Sequence, residues 1–311
     1  MSTENRHLIR LAHNNSVYPL SPLIVIAALL ALAPYFWAGF CPSRFTGWVR
    51  GLPLAARILL PSILCVPYVL VSVDRGAFSP RWLALYAGLP VAMAACLSLA
   101  GSRRSKGHWL EFLILAILGL SVDLRWFERA WPAHLAIFNK VLLLDAGIYA
   151  FVAVRQLEGV GFDLRIRLRD VLVGLREFIF FFPIALGLGL ALGFLHVHPL
   201  GAGMGATALK FAGAWIFTFF FIAVPEELFF RGWVQNLLES PMGRGRALMV
   251  TAILFGLSHF NKRAVFFNWR YVLLAAIAGI FYGRAWRSNR RVAASSITHA
   301  TVDSVWSVWL R

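Results

Sequence analysis

Glu226 and Glu227, with Arg231 four residues beyond the second, close a stretch that carries no other charge: Phe211 to Val224 reads FAGAWIFTFFFIAV. Two bases and a cation on one short segment can hold water and take a proton from it. At i, i+4 spacing Glu227 and Arg231 share a helix face, so an ion pair between them is predicted. Glu226 lies about 100° round the helix and faces elsewhere. A carboxylate in a mostly apolar cavity suits general-base work near neutral pH. Charge at bilayer depth is costly, which makes such a cluster a functional-site hypothesis by default.

Two further constellations follow on later segments. Phe255-x-x-x-His259 ends the apolar run ILFGLSHF, and His299-x-x-x-Asp303 lies in SSITHATVDSVW. His299 and Asp303 are again i, i+4 and share a face, where an acid fixes the tautomer of the imidazole and raises its basicity. A lone histidine such as His259 is more often a hydrogen-bonded core residue, so the case rests on convergence. Three segments each bring ionisable groups into an apolar phase, and around one polar cavity they can activate water.

Other polar groups are weaker candidates. Glu111, Lys140 and Asp145 lie in apolar runs of the first half, where snorkelling towards the interface is the expectation. His196 and His198 precede Pro199 in a connecting loop and offer a weak metal signal.

The elements that must position these residues are membrane helices. The chain has 311 residues, 59% hydrophobic and 14% charged, with a mean hydropathy of +0.71. That composition excludes an ordinary soluble domain and predicts an all-α polytopic integral membrane protein of roughly 8–10 transmembrane helices. Ten apolar runs qualify: 17–40, 53–73, 82–100, 108–122, 139–154, 178–195, 206–224, 247–260, 271–286 and 292–309. The net charge of +16 comes from arginines placed mostly between these runs, where anionic headgroups explain them and no nucleic acid is expected.

From Arg155 to Arg176 the chain is basic and from Asp163 it alternates, then turns helix-like. The expectation is an amphipathic segment on the cytoplasmic leaflet. On that orientation Arg44, Arg50, Arg103, Arg104, Lys106, Arg244, Arg246, Arg284, Arg287, Arg290 and Arg291 fall inside, whereas Lys262, Arg263 and Arg270 break the pattern. Residues 1–160 form an N-terminal membrane region of unassigned role and 161–311 carry the chemical constellations. Small residues at Gly189 and Gly193, and at Ala275, Gly279 and Gly283, would let helices approach closely. Cys41, Cys65 and Cys96 lie in or beside separate runs without metal-site spacing, and no removable signal peptide is evident at the N-terminus.

Glu-Glu-x-x-x-Arg, then Phe-x-x-x-His, then His-x-x-x-Asp, in this order on a helical membrane domain, resembles the CPBP family, the CaaX-protease and bacteriocin-processing (Abi-domain) intramembrane proteases, type II CaaX prenyl endopeptidase-like. The resemblance runs from about Phe211 to the C-terminus and more weakly back to Asp163. It implies an intramembrane endopeptidase acting on a membrane-associated, lipidated or C-terminally anchored peptide or protein, within the lipid bilayer. Glu226 would be the base that activates water, helped by His259. His299 and Asp303 would flank the oxyanion, and Glu227 with Arg231 would organise the site. Relatives resembling the eukaryotic enzyme carry Asn at the position of Asp303, and an ionised Asp would repel an oxyanion, so Asp303 is expected to orient His299. The family has been described both as metal-dependent and as metal-free. No cofactor is the expectation; zinc, held by Glu226, His259 and His299, is the alternative. Localisation in the plasma (inner) membrane of a prokaryote follows. A transporter, or a non-enzymatic scaffold or immunity protein, is the competing reading, disfavoured because the ionisable groups cluster on the C-terminal helices.

Overall fold

The computed structural model describes residues 21–101, 106–197, 203–260 and 268–310, and the regular structure among them is helical, with no strand. Eleven helices can be followed. They are α1 (Pro22–Phe40), α2 (Pro42–Gly51), α3 (Leu54–Asp74), α4 (Pro80–Gly101), α5 (Trp109–Asp123), α6 (Ile137–Val154), α7 (Leu168–Ala191), α8 (204–235), α9 (Asn236–Leu257), α10 (Trp269–Asn289) and α11 (Val292–Trp309). Where described, each of the ten apolar runs lies mainly on a helix, with 178–195 and 247–260 running a few residues past their helix ends.

By length and composition, six segments of the described residues could cross a bilayer: α1, α3, α4, α6, α7 and the continuous stretch Met204–Leu257 that holds α8 and α9. This is fewer than the 8–10 expected. The 15 residues of α5 are short for a span. Helices α10 and α11 are long enough but carry Arg270, Arg284 and Arg287, or the Ser, Thr, His and Asp of the candidate site. The polar chemistry itself lowers the apolar signal of the helices that hold it.

Local chemistry sets the helix ends. The Ser21 hydroxyl accepts from the Ile24 amide ahead of Pro22 at the first turn of α1. Glu111 closes the start of α5 by accepting from the amides of Gly107 and His108, each at 2.8 Å, and its other oxygen pairs with Arg155. It is fully buried, so this carboxylate is a helix cap and ion-pair partner instead of a snorkelling side chain. Asp145 is likewise 1% exposed within α6 and does not reach an interface. Helix α7 begins at Leu168, later than the start of the basic stretch, with Asp170 accepting from the Arg167 amide.

The most buried span is α6, which packs with α1, α2, α3 and α4, and its Phe151 stacks on Trp233 of α8. One core joins Tyr35, Ala38, Leu97 and Phe151 from the first half to Phe219, Val224, Trp233, Ile297 and Ala300 from the second. Gly147 makes this approach close: a Cβ there would lie 2.6 Å from the indole of Trp233.

On the other side α9 lies against α10, and α7 against α10 and α11. Gly256 and Gly279 carry the α9–α10 contact, since a Cβ on Gly256 would sit 2.6 Å from the Val272 carbonyl and one on Gly279 would sit 3.0 Å from Ala252 Cα. The Gly189 and Gly193 pair does not act as the sequence pattern suggested. Gly189 lies beneath Leu195 of its own returning chain, and Gly193 has φ +60° with open space around it. It ends α7 in a left-handed turn.

The basic loops meet at one end of the bundle. Arg50 reaches Gln156 at 2.9 Å, Lys106 reaches the Glu158 carbonyl at 2.7 Å, and Asn236 donates to the same carbonyl. Arg291 ties the 163–165 loop to this end by bonding Asp163, Asp170 and the Arg165 carbonyl. At Asp163 burial favours the neutral acid, but hydrogen bonds from Arg165 and Arg291 outweigh it and hold the carboxyl below the ordinary carboxylate range. His198, Arg103, Arg104, Lys262 and Arg263 lie outside the described residues, as does the N-terminus.

Candidate active site

The site is built around a disturbance in α8. Its helical path is regular over Met204–Thr218, widens into a π turn at Phe219–Ala223, tightens over Val224–Glu227 and widens again over Leu228–Gln235. Pro225 explains the first widening. It has no N–H and its ring would collide with the carbonyl four residues earlier in a regular α-helix. The chain inserts a residue instead, so that the Val224 amide bonds Phe219 in the wider register. The two glutamates therefore sit on a short regular turn between two wide ones.

Glu227 points into the bundle and is fully buried. One carboxylate oxygen accepts from Arg231 Nη1 at 3.0 Å and faces His299 Nδ1 at 2.9 Å. Arg231, also fully buried, donates to the Gly279 carbonyl at 3.0 Å. Its guanidinium lies 4.5 Å from the ring centre of Phe255 and 5.4 Å from that of Tyr282. The cation is thus enclosed by a carboxylate, a carbonyl and two aromatic faces. The close α9–α10 packing at Gly279 brings that carbonyl within reach.

His299 is the junction. With Nδ1 on Glu227, its Nε2 faces Asp303 at 3.5 Å and Glu226 at 3.9 Å. The ring stacks on Tyr282, centres 4.6 Å apart and 16° between planes, while Phe255 meets it edge-on at 5.7 Å. Glu227, on α8, makes the shorter contact and Asp303, on its own helix, the longer one. Orientation of the imidazole by Asp303 alone is therefore replaced by a clamp between two carboxylates.

Glu226 and Asp303 are the partly exposed members, their side chains 27% and 31% accessible. Glu226 lies on the wall of a cavity of about 470 Å³ between the two halves of the chain, with Tyr35, Leu118, Phe220, Phe229 and Lys140 among its other lining residues. Asp303 and His299 line a smaller cavity of about 80 Å³ together with His259, Tyr271 and Tyr282. His259 has Nδ1 2.8 Å from the Phe255 carbonyl, and its ring packs on Phe255 and edge-on to Tyr271, each with centres 4.9 Å apart. The structure thus brings Glu226, Glu227, Arg231, His299 and Asp303 into direct register and sets His259 in the adjoining wall. His196, from the other histidine pair, has its amide near the Leu310 carbonyl and is not part of this cluster.

The donor set for a metal does not assemble. Among the described residues no three His, Cys, Asp or Glu side chains group to hold an ion, and both nitrogens of His299 already face carboxylates. Glu226, His259 and His299 do not fit a zinc site in this arrangement.

Two contributors escaped the sequence reading. Tyr282 supplies the stacking face for His299, and the Gly279 carbonyl takes an Arg231 N–H. Their signal lay in α10, where Ala275, Gly279, Tyr282 and Trp286 share one face, small residues leading to aromatic ones.

A polytopic helical membrane protein with a buried glutamate–arginine–histidine cluster beside an internal cavity is the class that fold and site define. The sequence model of the family described as Type II CAAX prenyl endopeptidase Rce1-like matches residues 207–305, which span α8 to α11 and include every residue of the cluster. No curated protein and no solved structure matches the chain. The matched third is similar to CAAX-type membrane endopeptidases, which supports a hydrolase of that kind acting on a membrane-associated protein.

Proposed function

We propose that this protein is an intramembrane endopeptidase in which Glu226 activates the attacking water. The observation that carries the reading is the position of Glu226: it forms part of the cavity wall yet faces His299 Nε2 at 3.9 Å. Glu226 takes a proton from water as the water oxygen attacks the scissile carbonyl, and the carbonyl oxygen becomes the oxyanion of a tetrahedral intermediate. His299, held at Nδ1 by Glu227, presents Nε2–H to that oxyanion. The C–N bond then breaks, and Glu226 returns the proton to the leaving amine. Arg231 fixes Glu227 and takes no part in the proton transfer. His259 acts from the wall of the smaller cavity as a positioning residue.

The apolar cavity between the halves accepts a lipidated or membrane-anchored segment and shields it from bulk water. On this reading the N-terminal half supplies one wall of the substrate channel, and the basic end of the bundle faces the cytoplasm at the plasma membrane of a prokaryote. Glu226→Gln is expected to abolish cleavage of a farnesylated Cys-aliphatic-aliphatic-X peptide, and to remove the protein-dependent termini seen by proteomics of whole membranes. Cleavage that survives this substitution sinks the mechanism. Ion flux in proteoliposomes lost on Glu226→Gln, without hydrolysis in either assay, would instead mark a transporter.

A further inference from the structure

We propose that Tyr35, in the half of the chain outside the family match, is a positioning residue that locks the turn bearing Glu226 by supplying a hydrogen bond that Pro225 cannot. The inference rests on the reading of Glu226 as the catalytic base. In an α-helix the Phe220 carbonyl would accept from the Val224 amide, but that amide bonds Phe219 instead. In the wider π register the Phe220 carbonyl would accept from residue 225, which is proline and has no N–H. Neither register supplies a donor. The Tyr35 hydroxyl does, donating to the Phe220 carbonyl at 2.9 Å.

The donor is rigidly mounted. Tyr35 is 1% exposed, and its ring stacks on Phe162 with centres 6.0 Å apart and 27° between planes. The loop carrying Phe162 is pinned to the same helix by the Leu164 amide, which donates to the Gly39 carbonyl at 2.9 Å. Tyr35 and Glu226 also line the same cavity. The bond matters because the π turn amounts to one inserted residue. Losing that insertion would rotate Glu226 by about 100° relative to the helix before it and turn the carboxylate away from His299.

The test is a double-mutant cycle in lipid nanodiscs, with Tyr35→Phe, Pro225→Ala and the double variant, read by amide hydrogen exchange and by cleavage of the farnesylated peptide. Tyr35→Phe leaves a buried carbonyl unpaired, so exchange in 219–228 is expected to accelerate by roughly tenfold or more, with kcat falling by a comparable factor and KM little changed. Pro225→Ala restores a main-chain N–H at the missing position, so Tyr35→Phe is expected to accelerate exchange in 219–228 much less in the Pro225→Ala background than in the parent, whatever Pro225→Ala alone does to turnover. Tyr68→Phe deletes an equally buried hydroxyl, bonded to the Ser79 carbonyl at 3.2 Å, and is expected to leave 219–228 unchanged. Three results overturn the proposal: unaltered exchange at 219–228 in Tyr35→Phe, acceleration spread evenly over the whole chain, or additive effects of the two substitutions. Cleavage that persists in Glu226→Gln refutes the base assignment alone, and the exchange cycle, which needs no turnover, still decides the role of Tyr35.

Discussion

Replacing each glutamate of the pair with glutamine should separate chemistry from stability. Glu227 is fully buried, bonded to Arg231 at 3.0 Å and to His299 at 2.9 Å. Glu227→Gln keeps the shape but removes the only carboxylate bonded to Arg231 among the described residues, leaving the guanidinium the Gly279 carbonyl and the Phe255 and Tyr282 faces. Removing one partner of a buried pair costs about 3–5 kcal/mol, because the other charge stays buried without compensation. Glu226 is partly exposed to a cavity, so Glu226→Gln should cost no more than about 1 kcal/mol. The assay is reversible unfolding in mixed micelles followed by tryptophan fluorescence, run beside peptide cleavage. The expected pattern is asymmetric: Glu226→Gln folds like the parent and is inactive, while Glu227→Gln unfolds several kcal/mol earlier. Adding Arg231→Met to Glu227→Gln should recover part of that loss by removing the orphaned charge. Equal destabilisation by both glutamine variants, or none by Glu227→Gln, would refute the division between an anchored and a cavity-facing carboxylate.

Four further outcomes are expected. Gly256→Ala should destabilise by about 1–3 kcal/mol in the same unfolding assay, since its Cβ would sit 2.6 Å from the Val272 carbonyl and 2.7 Å from Ala276 Cβ, forcing α9 from α10. Gly193→Ala meets nothing within 4 Å and should cost only the strain of its left-handed φ, about 1–2 kcal/mol. Asp163 ionises below its ordinary range in the folded protein, so its bonds to Arg165 and Arg291 stabilise the fold above about pH 4, and that contribution is lost as pH falls from there through the lowered folded value. Asp163→Asn should therefore lower stability at neutral pH and flatten the acid limb of a stability–pH curve. Cleavage by the purified protein should persist after exhaustive chelation, with less than stoichiometric zinc by elemental analysis, because no donor set for an ion assembles among the described residues.

How much of this was legible follows from the range over which each interaction acts. Helices were readable because apolar runs and their breaks are local properties, and the Glu227–Arg231 pair was readable because i, i+4 neighbours meet on any helix. At His299 the same rule found one partner and missed the other. Asp303 is its i, i+4 neighbour, yet Glu227, 72 residues away on another helix, makes the shorter contact. No periodicity encodes that pairing, since it arises from α8 and α11 packing on the same core. Glu111 and Asp145 failed for a related reason: a lone charge in an apolar run suggests an interface until a distant Arg155 or a covering helix is known.

The case of Pro225 shows a boundary between the two regimes. Sequence alone says that a proline inside a helix must orphan a carbonyl and distort the turn. Only the assembled bundle says that the distortion widens the helix beside two glutamates and that a hydroxyl from the first helix satisfies the carbonyl. The costly element, a proline and two acids in an apolar helix, is thus tolerated because groups from α1 and α11 converge on the adjacent turns. Relaxing the proline without its tyrosine partner, or the reverse, should then disturb the geometry of Glu226 more than either distance from His299 or local helix propensity would suggest.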